Sequence, residues 1–292
     1  MRYKFLRFPE GRLKAVTLSY DDGCRADIRL SDIVSKYGLK CTFNLTADEK
    51  ITRLTKEEVE QYILGRGHEI AVHGAHHRAE GMQRPIDGIR DVLDCRLALE
   101  KEYGLIVRGM AYPDSGIRMF YNTANYENIK RYLTDLDIVY ARSLATDKEC
   151  VGPMELPADW HAWIPTSHHA NSKLPALMDQ FLSIKEAPLY SAGLFPRIMY
   201  IWGHAYEFDT GNNWELLESI CERLSGQDDV WYATNMEIYE YVKAYDSLVS
   251  NADETKIYNP TLTTVWFNVD GKEGKTYRVD PGETVRIGGR EE

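Results

Sequence analysis

The sequence predicts an α/β fold built on a parallel sheet. Short β-rich runs alternate with segments of helical spacing, this alternation repeats six or seven times over about 245 residues, and glycines stand where helical segments give way to the next run. A helix after each strand carries the chain back to the same end of the sheet, so consecutive strands run parallel. A closed barrel and a doubly wound sheet both satisfy this pattern. In either one, chemistry gathers at the carboxyl ends of the strands.

The runs that read as strands are 15–20, 41–45, 69–72, 106–112, 138–141, 197–202 and 230–233. Helical spacing separates them: Ile28, Ile33, Val34 and Tyr37; Val59, Tyr62 and Ile63; Ile86, Ile89, Leu93 and Leu97; and Leu216, Leu217 and Ile220. Thr55 and Glu58 form a capping box, Leu54 and Val59 are spaced for a hydrophobic staple, and Gly65 and Gly67 end that helix. Gly38 and Gly104 mark similar exits. Beyond residue 250 the pattern changes to strand-like alternation at 261–269, a turn at Asp270-Gly271, a run at 277–279 and a further one at 283–287. The expected organisation is therefore an α/β domain over 1–250 followed by a small β appendage over 251–292.

Composition narrows the functions. The chain has 292 residues, 45 acidic against 35 basic, and a formal charge of -10, so counterion release on nucleic acid or on an anionic membrane has no evident source. With 43 % hydrophobic and 27 % charged residues it is an ordinary folded protein. No apolar stretch is long enough to span a membrane, and the N-terminal residues lack the features of a signal peptide, so the chain reads as cytoplasmic. The five cysteines, Cys24, Cys41, Cys95, Cys150 and Cys221, are scattered without a Cys-x-x-Cys pair and read as reduced, mostly packed thiols.

Candidate chemistry follows the strand ends. Asp21 and Asp22 end the first run, with Gly23 next; neighbouring strand residues face opposite ways, so the two carboxylates share a site only if the chain bends, and by itself Asp-Asp-Gly is also a common turn. Four of the eight histidines lie within ten residues about the third run: His68 just before it and His73, His76 and His77 after it. His73 and His77 are four apart, and on a helical turn both would project from one face, ready for a metal; a carboxylate from another strand end would complete the two-histidine, one-carboxylate set found in catalytic zinc sites. A solvated polar loop is the alternative. His204 ends the run Arg-Ile-Met-Tyr-Ile-Trp-Gly-His and, taken with the other clusters, is a candidate general acid; alone it also fits a structural hydrogen-bonding role.

Thr-Leu-Ser-Tyr-Asp-Asp-Gly, ending at Gly23, His73-x-x-x-His77 and Ile201-x-x-His204 together resemble the signatures of polysaccharide deacetylases, the NodB-homology domain of carbohydrate esterase family four, over residues 14–245. The resemblance implies a distorted (β/α) barrel, usually of seven strands, and a metal-dependent hydrolase that removes N-acetyl groups from an amino sugar or short N-acetylated oligosaccharide, with a metal-activated water as nucleophile. It implies Asp22, His73 and His77 as ligands of a divalent metal, zinc first, with cobalt, nickel or iron also suited to such donors. Asp21 would be the general base, His204 the general acid, and the Asp114 backbone N–H the oxyanion donor. Trp160 and His168 are further candidates for the substrate pocket, and Asp159 for holding His204.

The departures are specific. Gly74 stands where the family has Ser or Thr after the first histidine, which removes a hydroxyl that braces the loop. Ala111-Tyr112-Pro113-Asp114 lacks the arginine that would orient the base, and Arg108 comes three residues too early. Two other functions remain in view: hydrolysis of a different non-peptide C–N amide, and glycan binding without turnover. An N-acetylated sugar is the expected partner, with neither nucleic acid nor membrane.

Overall fold

Of the two strands that open the chain, β1 (Lys4–Arg7) and β2 (Lys14–Asp21), only the second enters the main sheet. The computed structural model describes residues 3–144, 147–185, 194–269 and 275–287. The main sheet continues through β3 (Cys41–Leu45), β4 (Glu69–Val72), β5 (Gly109–Ala111), β6 (Tyr140–Arg142), β7 (Ser167–His168), β8 (Arg197–Gly203) and β9 (Val230–Tyr232). Its order is β6-β5-β4-β3-β2-β8-β7, and β9 pairs with the first half of β2. Every one of these pairings is parallel. All eight residues of β2 are buried, as expected of a central strand covered on both faces.

The sheet curls into a barrel-like wall rather than a flat doubly wound one. The gap between its β6 and β8 edges is spanned by 163–168. The Trp163 N–H donates to the Ala141 carbonyl (3.1 Å) and its own carbonyl accepts from Ser143 N–H (2.9 Å), while Ser167 and His168 pair with Ile201 and Trp202. Trp163 fills this gap, wholly buried, edge-on to Tyr140 and Tyr200.

Helices α1 (Asp27–Lys36), α2 (Lys56–Glu58), α3 (Pro85–Tyr103), α4 (Tyr126–Asp135), α5 (Leu174–Ser183), α6 (Tyr206–Gly211), α7 (Trp214–Leu224) and α8 (Asn235–Asp246) connect the strands. The capping box at α2 forms as expected: Thr55 Oγ1 accepts from Glu58 N–H at 3.3 Å and Glu58 accepts from Thr55 N–H at 2.9 Å. The chain then passes through a π turn at Val59–Ile63 and a 3-10 turn at Leu64–Arg66, and stops at left-handed Gly67. On α3 the buried stripe is Gly88, Asp91, Val92, Cys95 and Leu99, not the predicted Ile86, Ile89, Leu93 and Leu97. The helix is rotated so that Gly88 meets the Tyr132 ring and Asp91 turns inward, leaving Ile86 and Leu97 exposed.

Strand β10 (Val249–Ser250), β11 (Lys256–Tyr258), β12 (Val265–Val269), β13 (Thr276–Val279) and β14 (Thr284–Arg286) make two antiparallel sheets, β1-β12-β13 and β10-β11-β14. They enclose Ile257, Phe267, Val269, Tyr277, Val279 and Ile287. The first strand of the chain thus pairs with this C-terminal region. Tyr241 of α8 fastens it to the rest, donating its hydroxyl to the Arg7 carbonyl (2.6 Å) and accepting from Trp266 N–H (3.0 Å). The expected run at 261–269 becomes strand only from Val265, because Asn259 Oδ1 accepts from the Thr261 N–H and hydroxyl and closes a turn there. The predicted turn at Asp270-Gly271 lies outside the described residues. Among the described residues no helix is long and apolar enough to cross a membrane.

Trp163→Ala should lower unfolding free energy by about 3–5 kcal/mol, the usual cost of emptying a buried tryptophan site. Urea midpoints measure this; a loss below about 1 kcal/mol would show that the 163–168 span does not hold the sheet edges together.

Candidate active site

Parallel pairing brings the ends of β2, β4, β5, β6 and β8 to one face. The register sets Asp21 opposite Asn44, Leu45 opposite Val72, Ala111 opposite Arg142 and Tyr20 opposite Gly203. The two carboxylates share this site because the backbone bends at Asp22 itself, whose φ of 83° is left-handed, and continues through Gly23 at 65°. The bend is tied down by the Asp22 N–H, which donates to the Asn44 carbonyl (3.0 Å), and by Thr52, whose hydroxyl donates to the Asp22 carbonyl (3.0 Å).

Asp21 is 2 % exposed. Asn44 Nδ2 donates to one of its oxygens (2.8 Å) and Arg142 Nη2 to the other (2.5 Å). Burial pushes the carboxyl up, but Arg142, His73 and His204 outweigh it and hold Asp21 below the ordinary aspartate value. The arginine missing after β5 is therefore supplied from the end of β6. Arg108 instead forms a two-pronged pair with Asp137, at 2.9 and 2.8 Å.

His73 and His77 reach Asp22 from the loop after β4. That loop is not the helical turn the spacing suggested: Gly74 (φ 74°) and His77 (φ 52°) are both left-handed, and the chain doubles back so that the two rings meet at 4.8 Å. Holding a histidine in this region costs about 1–2 kcal/mol. Asp22 Oδ1 lies 3.2 Å from His77 Nε2 and 3.6 Å from His73 Nε2. His73 Nδ1 faces the Ala111 carbonyl at 2.9 Å and must carry the proton, so the Nε2 lone pair is turned toward Asp22. Burial lowers His73 against the pull of Asp21 and Asp22, keeping it neutral, whereas Asp22 raises His77. Among the described residues Asp22 Oδ1 and His73 Nε2 have no hydrogen-bond partner although both are buried. Such orphaned acceptors, grouped with His77 within 4.8 Å of one another, fit a divalent cation held by two imidazoles and a carboxylate.

His204 follows β8, with Nε2 3.9 Å from Asp21 Oδ2 and Nδ1 3.2 Å from Glu207 Oε1. Burial works against its protonation, but Glu207, Asp21 and Asp22 outweigh this and raise the ring above the usual histidine value. Glu207 also receives Lys148 Nζ (2.7 Å) and stands 3.1 Å from both His168 Nε2 and His169 Nε2. The neighbouring Gly203 cannot carry a side chain, since a Cβ there would fall 2.0 Å from His169 Nδ1. His169 is stacked between Tyr20 and Phe208, and burial lowers it to about 4.

The structure brings together Asp21, Asp22, His73, His77 and His204. Asp114 sits close enough to contribute to the raised pKa of His77, and its N–H makes no hydrogen bond among the described residues. His168 reaches the site through Glu207. Trp160 packs edge-on to Trp163 and Tyr239 at 5.0 Å each, which places it in the aromatic cluster and not against this group. Asp159 is occupied by Tyr126, Lys130 and the His161 N–H, so it does not hold His204. Sequence reading missed Arg142 and Glu207, whereas the adjacent pair His168 and His169 is visible in it and both rings reach Glu207. Arg142 directly follows the predicted run 138–141 and Glu207 lies three residues after His204 on a helix, so position alone could have found both.

Residues 9–132 match the family model described as polysaccharide deacetylase. This stretch is similar to the polysaccharide deacetylase family. It includes Asp21, Asp22, His73 and His77 and ends before Arg142 and His204. No curated protein matches the sequence. The fold of this chain is similar to that of a Mycobacterium smegmatis protein classed as a polysaccharide deacetylase, with a TM-score of 0.55 at 18 % identity, covering 84 % of this chain and 96 % of that one. PuuE allantoinase gives 0.56 at 12 % identity, covering 80 % and 91 %. A Pseudomonas aeruginosa PAO1 protein, also classed as a polysaccharide deacetylase, gives 0.52 at 17 % identity, covering 78 % and 89 %.

Arg142→Met should destabilise the fold by about 3–5 kcal/mol at neutral pH, because it leaves the Asp21 carboxylate buried without its cation. A carboxyl held low in the folded state contributes stability above its unfolded pKa of about 3.9 and loses it as pH falls through the folded value. The gap between variant and parent should accordingly narrow on acidification. Denaturant midpoints across pH measure it, and a gap that widened would contradict the pairing.

Proposed function

We propose that this protein is a metal-dependent hydrolase that removes N-acetyl groups from an amino sugar or a short N-acetylated oligosaccharide. The observation that carries the reading is the Asp22–His73–His77 group, with its orphaned Oδ1 and Nε2, flanked by Asp21 on one side and His204 beyond it. A divalent cation bound there, zinc by the donor set, would supply Lewis acidity toward the acetyl carbonyl and toward a water proton.

The remaining work falls to side chains. Asp21, kept ionised by Arg142, is fitted to take a proton from the attacking water. The Asp114 N–H is the candidate donor to the developing oxyanion. His204, kept protonated by Glu207 and the two aspartates, faces the same space with Nε2 and is suited to deliver a proton to the departing amine, which leaves poorly as an anion. Base and acid are thus separated by environment: a cation beside the carboxylate, a carboxylate beside the imidazole.

The fold is shared as closely with an allantoinase as with the deacetylase-class proteins, so the fold does not choose the leaving group. A panel of N-acetylglucosamine oligomers, the monomer and small ureides, assayed with and without chelator, should release acetate from the sugars only in the presence of metal. Ureide hydrolysis without acetate release would move the assignment to another C–N bond, and ligand binding with no turnover would replace it with glycan recognition. His77→Ala should lose metal and activity together, whereas Asp21→Asn should retain metal and lose turnover; metal analysis beside the assay separates the two. Glu207→Gln removes a group that raises His204, so the basic limb of the kcat/KM profile should shift to lower pH, and an unmoved limb would deny His204 the role of acid.

A further inference from the structure

We propose that Asp91 is a positioning residue for the metal-binding loop, and that Gly74 is a glycine because the Asp91 carboxylate occupies the space a side chain would need. The inference rests on the ligand reading of His73 and His77 given above.

Asp91 lies on the buried stripe of α3 among Gly88, Val92, Cys95 and Leu99, 3 % exposed. A carboxylate in such a place carries a desolvation cost that burial of an aliphatic side chain would not. It is used on the loop. Asp91 Oδ1 accepts the His76 N–H at 2.9 Å, and the Asp91 carbonyl accepts the Ala75 N–H at 3.1 Å. Two successive amides between the ligands are thereby fixed to one helical residue. The His73 N–H donates to the Leu45 carbonyl (2.9 Å), so the loop is held at its start by β3 and at its middle by α3.

Gly74 closes the fit. A Cβ at this position would stand 2.5 Å from Asp91 Oδ2, 3.4 Å from Pro113 Cγ and 3.5 Å from the His77 nitrogen. Its φ of 74° is also one that side chains resist. A side chain there would drive the carboxylate off the His76 amide it serves. The bracing hydroxyl that the sequence lacks at 74 is therefore replaced by a carboxylate arriving from the opposite side.

The test uses the full chain, with cobalt or zinc affinity measured by chelator competition and amide exchange measured across 73–77. Asp91→Ala should weaken metal binding by about 10–100-fold, the usual effect of losing a partner that orients a ligand. It should also speed exchange at the His76 amide in the metal-free protein, while the Ala75 amide, held by the Asp91 backbone carbonyl, serves as the internal control. Asp91→Asn keeps an acceptor oxygen and should stay within about 3-fold of the parent. Gly74→Ala retains the carboxylate but displaces it, and should loosen the His76 amide as Asp91→Ala does. If Asp91→Ala does not fold, the Asn and Gly74→Ala pair carries the test. Parent-like metal affinity and exchange in the destabilised variants, with folding confirmed by thermal melts, would overturn the brace. A parent protein that binds no metal would instead overturn the ligand reading, while the exchange measurement would still decide the brace.

Discussion

Two adjacent carboxylates ending a fully buried strand set the terms for this site. Asp21 and Asp22 could each be neutralised cheaply by protonation, since removal from water favours the acid form. The surrounding side chains prevent this. Arg142 binds Asp21 from two strands beyond β4, and His77 lies against Asp22, so both stay below the ordinary carboxylate range despite their burial. The same carboxylates then raise His77 and His204. Charge at this end of the barrel is mutual: removing any member changes the protonation of the others.

That dependence explains why the barrel closes as it does. Arg142 reaches Asp21 only because the sheet curls and the 163–168 stretch bridges its β6 and β8 edges. The guanidinium also lies over the Trp202 ring at 4.7 Å, which fixes its plane while its Nη2 is committed to the carboxylate. Packing and electrostatics therefore meet in one residue. A flat sheet would leave Asp21 without its cation.

Much of this was legible in the sequence where a residue's role depends on local order. Strand runs at 41–45 and 69–72, the Thr55–Glu58 capping box and the clustering of Asp21, Asp22, His73, His77 and His204 at strand ends all follow from periodicity and from where parallel strands finish. What depends on the third dimension was not. Arg142 partners a carboxylate 121 residues away, and no spacing rule connects them. The buried face of α3 was misjudged because an inward aspartate defeats a pattern that looks for apolar residues. Trp160 and Asp159 were drawn toward the site by likeness of text, whereas their partners, Tyr239, Tyr126 and Lys130, come from other helices. The short strands β1, β7, β10 and β11 are too brief for alternation to register and exist because their neighbours pair with them.

Among the described residues two groups of histidine and carboxylate have metal-like spacing, Asp22–His73–His77 and His168–His204–Glu207, and distance alone does not separate them. Hydrogen bonding does. The carbonyl of Ala111 holds the proton of His73 on Nδ1, leaving Nε2 as a lone pair directed at the group. The Ala170 N–H donates to His168 Nδ1 at 3.0 Å, which makes that nitrogen the acceptor and places the proton of the neutral ring on Nε2, facing Glu207. Glu207 already receives Lys148, and together these groups hold its carboxylate far below the ordinary glutamate range against the effect of burial. A cation placed among protonated nitrogens and beside an ammonium would have to displace them all. The second group is consequently a proton-holding network that ends at His204, while the first has lone pairs to give, and the backbone atoms beside His73 and His168 distinguish the two.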